Sequence, residues 1–211
     1  IRDSFNSYPR NKGHDYDFCS DNDVDILFEP SAEEIYNKDE TILKNNNYNN
    51  ILCDKYRKGH FDGVITVLNK FFSIVKSNKV YFGEKDFQQL KIIEKFIQDK
   101  FKSLDLVCVP TKRTKEGIAY SSRNEKLSKK QIQDFVSFHQ KVENFLKTLE
   151  KSFDINTANQ KAKDFIVEQD IEEFDYFEFR NNEDLSFNGK VSESRLFYAI
   201  YKGKIRLIDN L

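Results

Sequence analysis

The chain has 211 residues, room for one large domain or two small ones, each with a core of its own. Its 34 lysines and arginines balance 35 acids for a formal net charge of −1. It therefore lacks the basic surplus of a phosphate-backbone binder, and neither nucleic acid nor an anionic membrane is an expected partner. No apolar run approaches the roughly 20 residues needed to cross a bilayer and no charged-then-apolar leader opens the chain, which reads as soluble and cytoplasmic.

In chain order, VDILFEP at 24–30 is a short β-branched run closed by Glu-Pro, the pattern of a buried strand and its stop. KDETILKNNNYNNILCDKY at 38–56 is asparagine-rich and aperiodic, a loop or poorly ordered connection because little of it can be buried. From Gly63, the residues Val64, Val67, Leu68, Phe71, Phe72 and Val75 recur at helical spacing and predict an amphipathic helix ending near Lys76-Ser77-Asn78. The strand KVYF follows. After Gly83, Leu90, Ile93, Phe96 and Ile97 again fit the helical period, with Asp86 placed to cap and Gln89 three residues on. LDLVCVP at 104–110 is the next buried strand. Residues 80–110 thus read strand, tight turn, helix, strand, which predicts a parallel sheet that binds ligands at the carboxyl ends of its strands, where Gly83 to Asp86 lie.

Beyond Pro110 the texture changes. Ser128 with Gln131 predicts a capping box that opens a long helix through Lys151, with Val136, Val142, Phe145, Leu146 and Leu149 on its apolar face. A helix around 157–168, the strand FDYFEF and the run SRLFYAIYKGKIRLID with a turn at Gly203 complete a small α+β unit. The boundary is expected near Pro110, giving an α/β parallel-sheet domain over 1–110 and a smaller α+β domain over 111–211.

Cys19, Cys53 and Cys108 are three, in no CxxC spacing, and are expected to be reduced thiols, buried or half-buried. With His14, His60 and His139 the only histidines, no protein zinc site is expected and no residue is assigned to a metal.

Three stretches carry chemistry. In VYFGEKDFQQLKII at 80–93, backbone N–H groups at a helix N-terminus meet the charge of Lys85, an anion site by character. The other reading is a plain turn with a solvated lysine, since GEKD is neither a Walker A loop nor GxGxxG. In GIAYSSRN at 117–124, Ser121, Ser122 and Arg123 can wrap phosphate oxygens or simply cap the next helix. In RKGHFDG at 57–63, Arg57 and His60 precede the helix, where a histidine either donates to an anion or caps.

Together these segments closely resemble the pantothenate synthetase family, the ATP-dependent ligases (AMP-forming) that join pantoate to β-alanine. The resemblance runs over nearly the whole chain through SYPRN, VDILFEPSAEEIY, GHFDGVITVLNKFF, VYFGEKDFQQL, VPTKRTKEGIAYSSRN and GKIRLIDN. It implies a Rossmann-like amino domain holding ATP and pantoate and a smaller carboxyl domain closing over the nucleotide. By matching motif, Gly83, Glu84, Lys85 and Asp86 would contact ATP, with Lys85 on phosphates and Asp86 near the ribose. Gln89 would hydrogen-bond pantoate, Arg57 and His60 would line the pantoate and adenylate pocket, and Lys112 would contact adenine. Tyr120, Ser121, Ser122 and Arg123 match the phosphate-contacting loop of the second domain, and the catalytic assignments are Lys85, Arg123 and His60. A pantoyl adenylate intermediate, Mg²⁺ and a homodimer are implied as well.

The pattern is broken in places. The family opens with a strand, a His-x-Gly-His segment on the triphosphate and a second strand, and none of these stands before Ser7. Because the chain opens on Ile1 and has no methionine, its start is expected not to be the native one, the missing segment belonging to the working enzyme. NKGH at 11–14 is no substitute, and His14 is expected on a helix surface. Tyr120 stands where methionine, leucine or lysine is common, and Lys58 and Ser77 replace prolines. If the working chain does start at Ile1, the alternative is a non-catalytic nucleotide-binding or interaction protein derived from that enzyme.

Overall fold

The computed structural model describes residues 11–37, 39–169, 171 and 173–211; the SYPR segment quoted above lies outside them. Helix α1 (Lys12–Asp21) is capped by Asn11, and His14 sits on its exposed surface as expected. VDILFEP is not a strand. Val24, Ile26, Leu27 and Phe28 are 47, 84, 48 and 46% exposed. A strand exists by pairing its backbone N–H and C=O groups, and among the described residues no strand lies beside this run. A short helix, α2 (Ala32–Ile35), follows with a Ser31/Glu34 capping box.

The asparagine-rich stretch is a loop, but one built by hydrogen bonds. The Asn45 side chain donates to Asn47 O (2.8 Å) and Asn49 Oδ1 (3.0 Å), and Asn45 N donates to Asp62 Oδ1 (2.9 Å). Its end forms helix α3 (Leu52–Tyr56), which buries Leu52 and Cys53.

Helix α4 (His60–Val75) starts three residues before the predicted Gly63, because Gly59, at φ +73°, turns the chain in the left-handed region that glycine tolerates. Of the predicted stripe Phe72 is buried and Val64 and Leu68 pack against the same core, which the added turn extends with Phe61 and which Ile65 joins, while Val75 is exposed. Strand β1 (Lys79–Gly83), a 3₁₀ turn over Glu84–Asp86, helix α5 (Phe87–Lys100) and strand β2 (Asp105–Val109) make the expected unit, with β1 and β2 parallel from Lys79↔Asp105 to Gly83↔Val109. Asp86 is the N-cap of α5 without a side-chain cap bond: at φ −99°, ψ 58° it is outside the extended region from which a cap side chain reaches back. Cys108 is exposed, not buried, on a sheet that has two strands among the described residues.

The second half holds helices α6 (Lys129–Thr148) and α7 (Ile155–Val167) and the antiparallel strands β3 (Phe174–Asn181), β4 (Ser194–Lys202) and β5 (Ile205–Asn210). The capping box on α6 forms: Ser128 Oγ accepts from Gln131 N (3.3 Å) and Gln131 Oε1 accepts from Ser128 N (2.9 Å). Strand alternation sends the two faces of this sheet to different cores. Leu196, Tyr198 and Ile200 pack with Phe135, Phe138 and Val142 of α6 and Ile155 of α7. Phe197 and Ala199 pack with the α4–α5 core, Phe197 meeting Phe87 at 5.9 Å between ring centroids. Residues before and after Pro110 therefore meet across a packed interface. The architecture is the expected α/β one, a parallel-sheet first half and an α+β second half.

The loop after Pro110 is pinned from two sides. Arg113 makes paired bonds to Asp209 (2.7 and 3.0 Å) and also reaches Gly117 O (3.1 Å) and Asn210 O (3.0 Å). Gly117, at φ +89°, lies on buried His139, where a Cβ would stand 2.9 Å from Nε2. Only glycine lets the loop approach α6 this closely. Among the described residues no helix is long and apolar enough to cross a membrane.

Candidate active site

The carboxyl end of β1, the N-terminus of α4 and the 119–124 loop converge. Lys85, half-buried on the 3₁₀ turn, lines a cleft with Ser121, Arg123, Asn124 and Asp209. It also lines the adjoining cleft, with Arg57, His60, Asp86, Gln89 and Asn210. Lys85 and Arg123 thus face one space from opposite halves of the chain. Helix α4, capped by Gly59, presents His60 at its N-terminus, where unpaired N–H groups favour an anion.

The pairing of charges singles this place out. Arg113, Arg180, Arg195 and Arg206 are each paired with a carboxylate, of Asp209, Glu178, Glu84 and Asp175 respectively. Among the described residues Arg57, Arg123 and Lys85 have no such partner. In a chain with more acids than bases, three half-buried cations without carboxylate partners around two adjoining clefts make a site for an anion.

The same field acts on His60. Burial and the Arg57 charge push its pKa down to about 4, with Arg123 and Arg206 adding to the fall and Asp86 opposing it. Burial first, then Arg123 and Arg206, lower Arg57 as well. His60 is thus a neutral imidazole at pH 7, a hydrogen-bond donor rather than a charge. Between pH about 4 and the ordinary value near 6.5 the unfolded chain binds more protons at this position than the folded one. The stability held in neutral His60 is complete above about pH 6.5 and is lost as pH falls toward 4. Denaturant unfolding from pH 7 down to pH 4 is expected to show a shallower loss for His60→Gln than for the parent chain; parallel curves would contradict this.

Not every predicted residue lines the clefts. Gly83 and Lys112 are exposed, Tyr120 is 59% exposed and Ser122 is half-buried, all outside both linings. Tyr120 N donates to Lys112 O (3.0 Å), so these two stand across the loop from one another. Glu84 turns its carboxylate to Arg195 at 3.4 Å, away from the cleft. The glutamine pair is split by helix phase, neighbours on a helix facing about 100° apart. Both line the same cleft, but buried Gln88 accepts from Cys53 N (2.9 Å) and donates to Tyr48 O (3.1 Å) and Ile51 O (3.0 Å), holding the loop before α3, whereas the half-buried Gln89 keeps its amide free for a ligand. Sequence reasoning passed over Arg206, whose charge reaches His60, and Asn210, which lines the cleft. Both lie in the quoted GKIRLIDN segment. Among the described residues no three His, Cys, Asp or Glu side chains could jointly hold a metal ion.

A family model for pantoate-beta-alanine ligase matches residues 1–211. The chain belongs to that family. The pantothenate synthetases of Caldicellulosiruptor bescii and Aquifex aeolicus are 34 and 35% identical to it, each over 99% of this chain and 75% of the relative. The chain therefore spans about three quarters of the length of these relatives. A solved pantothenate synthetase from Thermus thermophilus superposes with a TM-score of 0.84 at 28% identity, over 97% of this chain and 75% of that one. A pantoate-beta-alanine ligase from Francisella tularensis, solved in complex with β-γ ATP and β-alanine, gives 0.64 at 26% identity, over 100% of this chain and 73% of that one. Membership makes the chain one of a family of amide-forming ligases, and the unpaired cations fall within the segments that carried the resemblance.

Proposed function

We propose that this ligase condenses pantoate with β-alanine at the expense of ATP through a pantoyl adenylate, releasing pyrophosphate and then AMP. One observation carries the reading: Lys85, Arg57 and Arg123, from both halves of the chain, surround joined clefts without acid partners. The ATP analogue and β-alanine bound to the Francisella tularensis ligase support the choice of ligands.

In the first step a pantoate carboxylate oxygen attacks the α-phosphorus, the α–β phosphoanhydride bond breaks, and pyrophosphate leaves with the electron pair. In the second, the β-alanine amine attacks the acyl carbon, the bond to AMP breaks, and the amine proton passes to solvent. Negative charge builds on phosphate oxygens, so the catalysts are positioned cations and N–H donors rather than a covalent nucleophile. Lys85 and Arg123 take the phosphates, with Ser121 beside them. Gln89 orients pantoate between Arg57 and His60, and neutral His60 serves as a donor. Asp86 approaches the ribose and Glu84 offers only its backbone. Contacts from Lys112, Tyr120 and Ser122 to the nucleotide require the loop after Pro110 to close further, while Gly83, at the end of β1, would meet it from the sheet side. Mg²⁺ would come with the nucleotide and neutralise charge on its phosphates. The same reading carries a homodimer in the cytoplasm and a division into 1–110 and 111–211.

Pyrophosphate release that requires both pantoate and ATP is the expected result. Nucleotide binding without such release would leave a nucleotide-binding protein and end the ligase reading.

A further inference from the structure

The turn that carries Lys85 is held from outside its own helix. Asn210, at the end of β5, is 3% exposed. Its side-chain nitrogen donates to Glu84 O and to Lys85 O, both at 2.9 Å. Its Oδ1 accepts from Arg195 Nη1 at 2.9 Å, and Arg195 Nη2 stands 3.4 Å from Glu84 Oε1. The Arg195 guanidinium carbon lies 4.2 Å from the centre of the Phe87 ring. Two carbonyl acceptors on one side and a guanidinium donor on the other fix which end of the amide points where.

The two carbonyls belong to consecutive peptide planes, those joining residues 84–85 and 85–86. Each plane is rigid, and the only soft backbone torsions at Lys85 are the rotations between them. A side chain that holds both planes holds φ and ψ of Lys85, and with them the direction of its Cα–Cβ bond. We infer that Asn210 is the positioning residue of Lys85: through the two carbonyls it fixes where the ammonium can reach in the shared cleft. As regards the ligand, this rests on the nucleotide reading above; as regards the backbone, it does not.

Calorimetric ATP affinity in a double-mutant cycle tests it. Asn210→Ala removes both hydrogen bonds to the turn, together with the one from Arg195, and is expected to weaken ATP about tenfold in the parent chain, and less than about twofold once Lys85→Ala has removed the group being positioned. Asn210→Ser, smaller and polar, is the second variant should the alanine form fail to fold. Equal losses with and without Lys85, or no loss in a folded variant, would overturn the inference. ¹⁵N order parameters give a readout that needs no ligand. In the variant those of Lys85 and Asp86 are expected to drop from the rigid value near 0.85 toward about 0.6, with Tyr198 and Ile200 in β4 unchanged. A turn as rigid as before, or a drop shared by β4, would also overturn it. If the parent chain binds no ATP, the nucleotide reading falls and the order parameters alone decide this one.

Discussion

Lys85→Ala is expected to lower pyrophosphate release about 10²- to 10³-fold, the usual loss when one preorganised donor to a developing charge is removed. Its effect on thermal unfolding should be small. Lys85 has no acid partner among the described residues, so its removal breaks no ion pair, and what holds the turn is Asn210 on the backbone. A plain turn would leave this lysine solvated, whereas the residue is half-buried and lines both clefts. That placement strengthens the prediction, because a cation partly out of water gains more from a phosphate than a surface one does. A variant with near-parental turnover would show that the phosphates lie elsewhere.

Arg113→Ala is expected to be the most destabilising of the charge removals. The Asp209 side chain is 1% exposed and its two oxygens take two bonds from Arg113. Removing the guanidinium leaves a buried carboxylate with no cation, held only by Asn210 N–H (2.8 Å) and the Tyr198 hydroxyl (3.5 Å), and deprives two carbonyls of their donor, a cost of about 3–5 kcal/mol. At roughly 2–4 °C per kcal/mol for a chain of this size, the melting temperature should fall by about 6–20 °C. Asp209→Asn in the Arg113→Ala background should recover part of it, since the stranded charge is then gone. A loss below about 1 kcal/mol would mean that water already reaches the pair.

The capping box at Ser128 and Gln131, the α5 periodicity, and the β4–β5 hairpin around Gly203 formed where the sequence placed them. Helix α4 began early and the Asp86 cap failed, both by a single turn's geometry. VDILFEP failed for another reason: an apolar run can promise a strand but cannot supply the neighbour it pairs with.

By itself the sequence determined the elements, the family resemblance and the set of cations worth watching, because periodicity, caps and turns are settled among residues within about four positions of each other. Which arginines would meet a distant carboxylate, which glutamine of the pair would keep its amide free, and what would hold Lys85 were decided by the tertiary structure. Those outcomes depend on partners far along the chain, Arg113 and Asp209 being 96 positions apart and Asn210 and Lys85 125. No local pattern specifies a contact across such a distance; it exists only once the β3–β4–β5 sheet lies between the two cores.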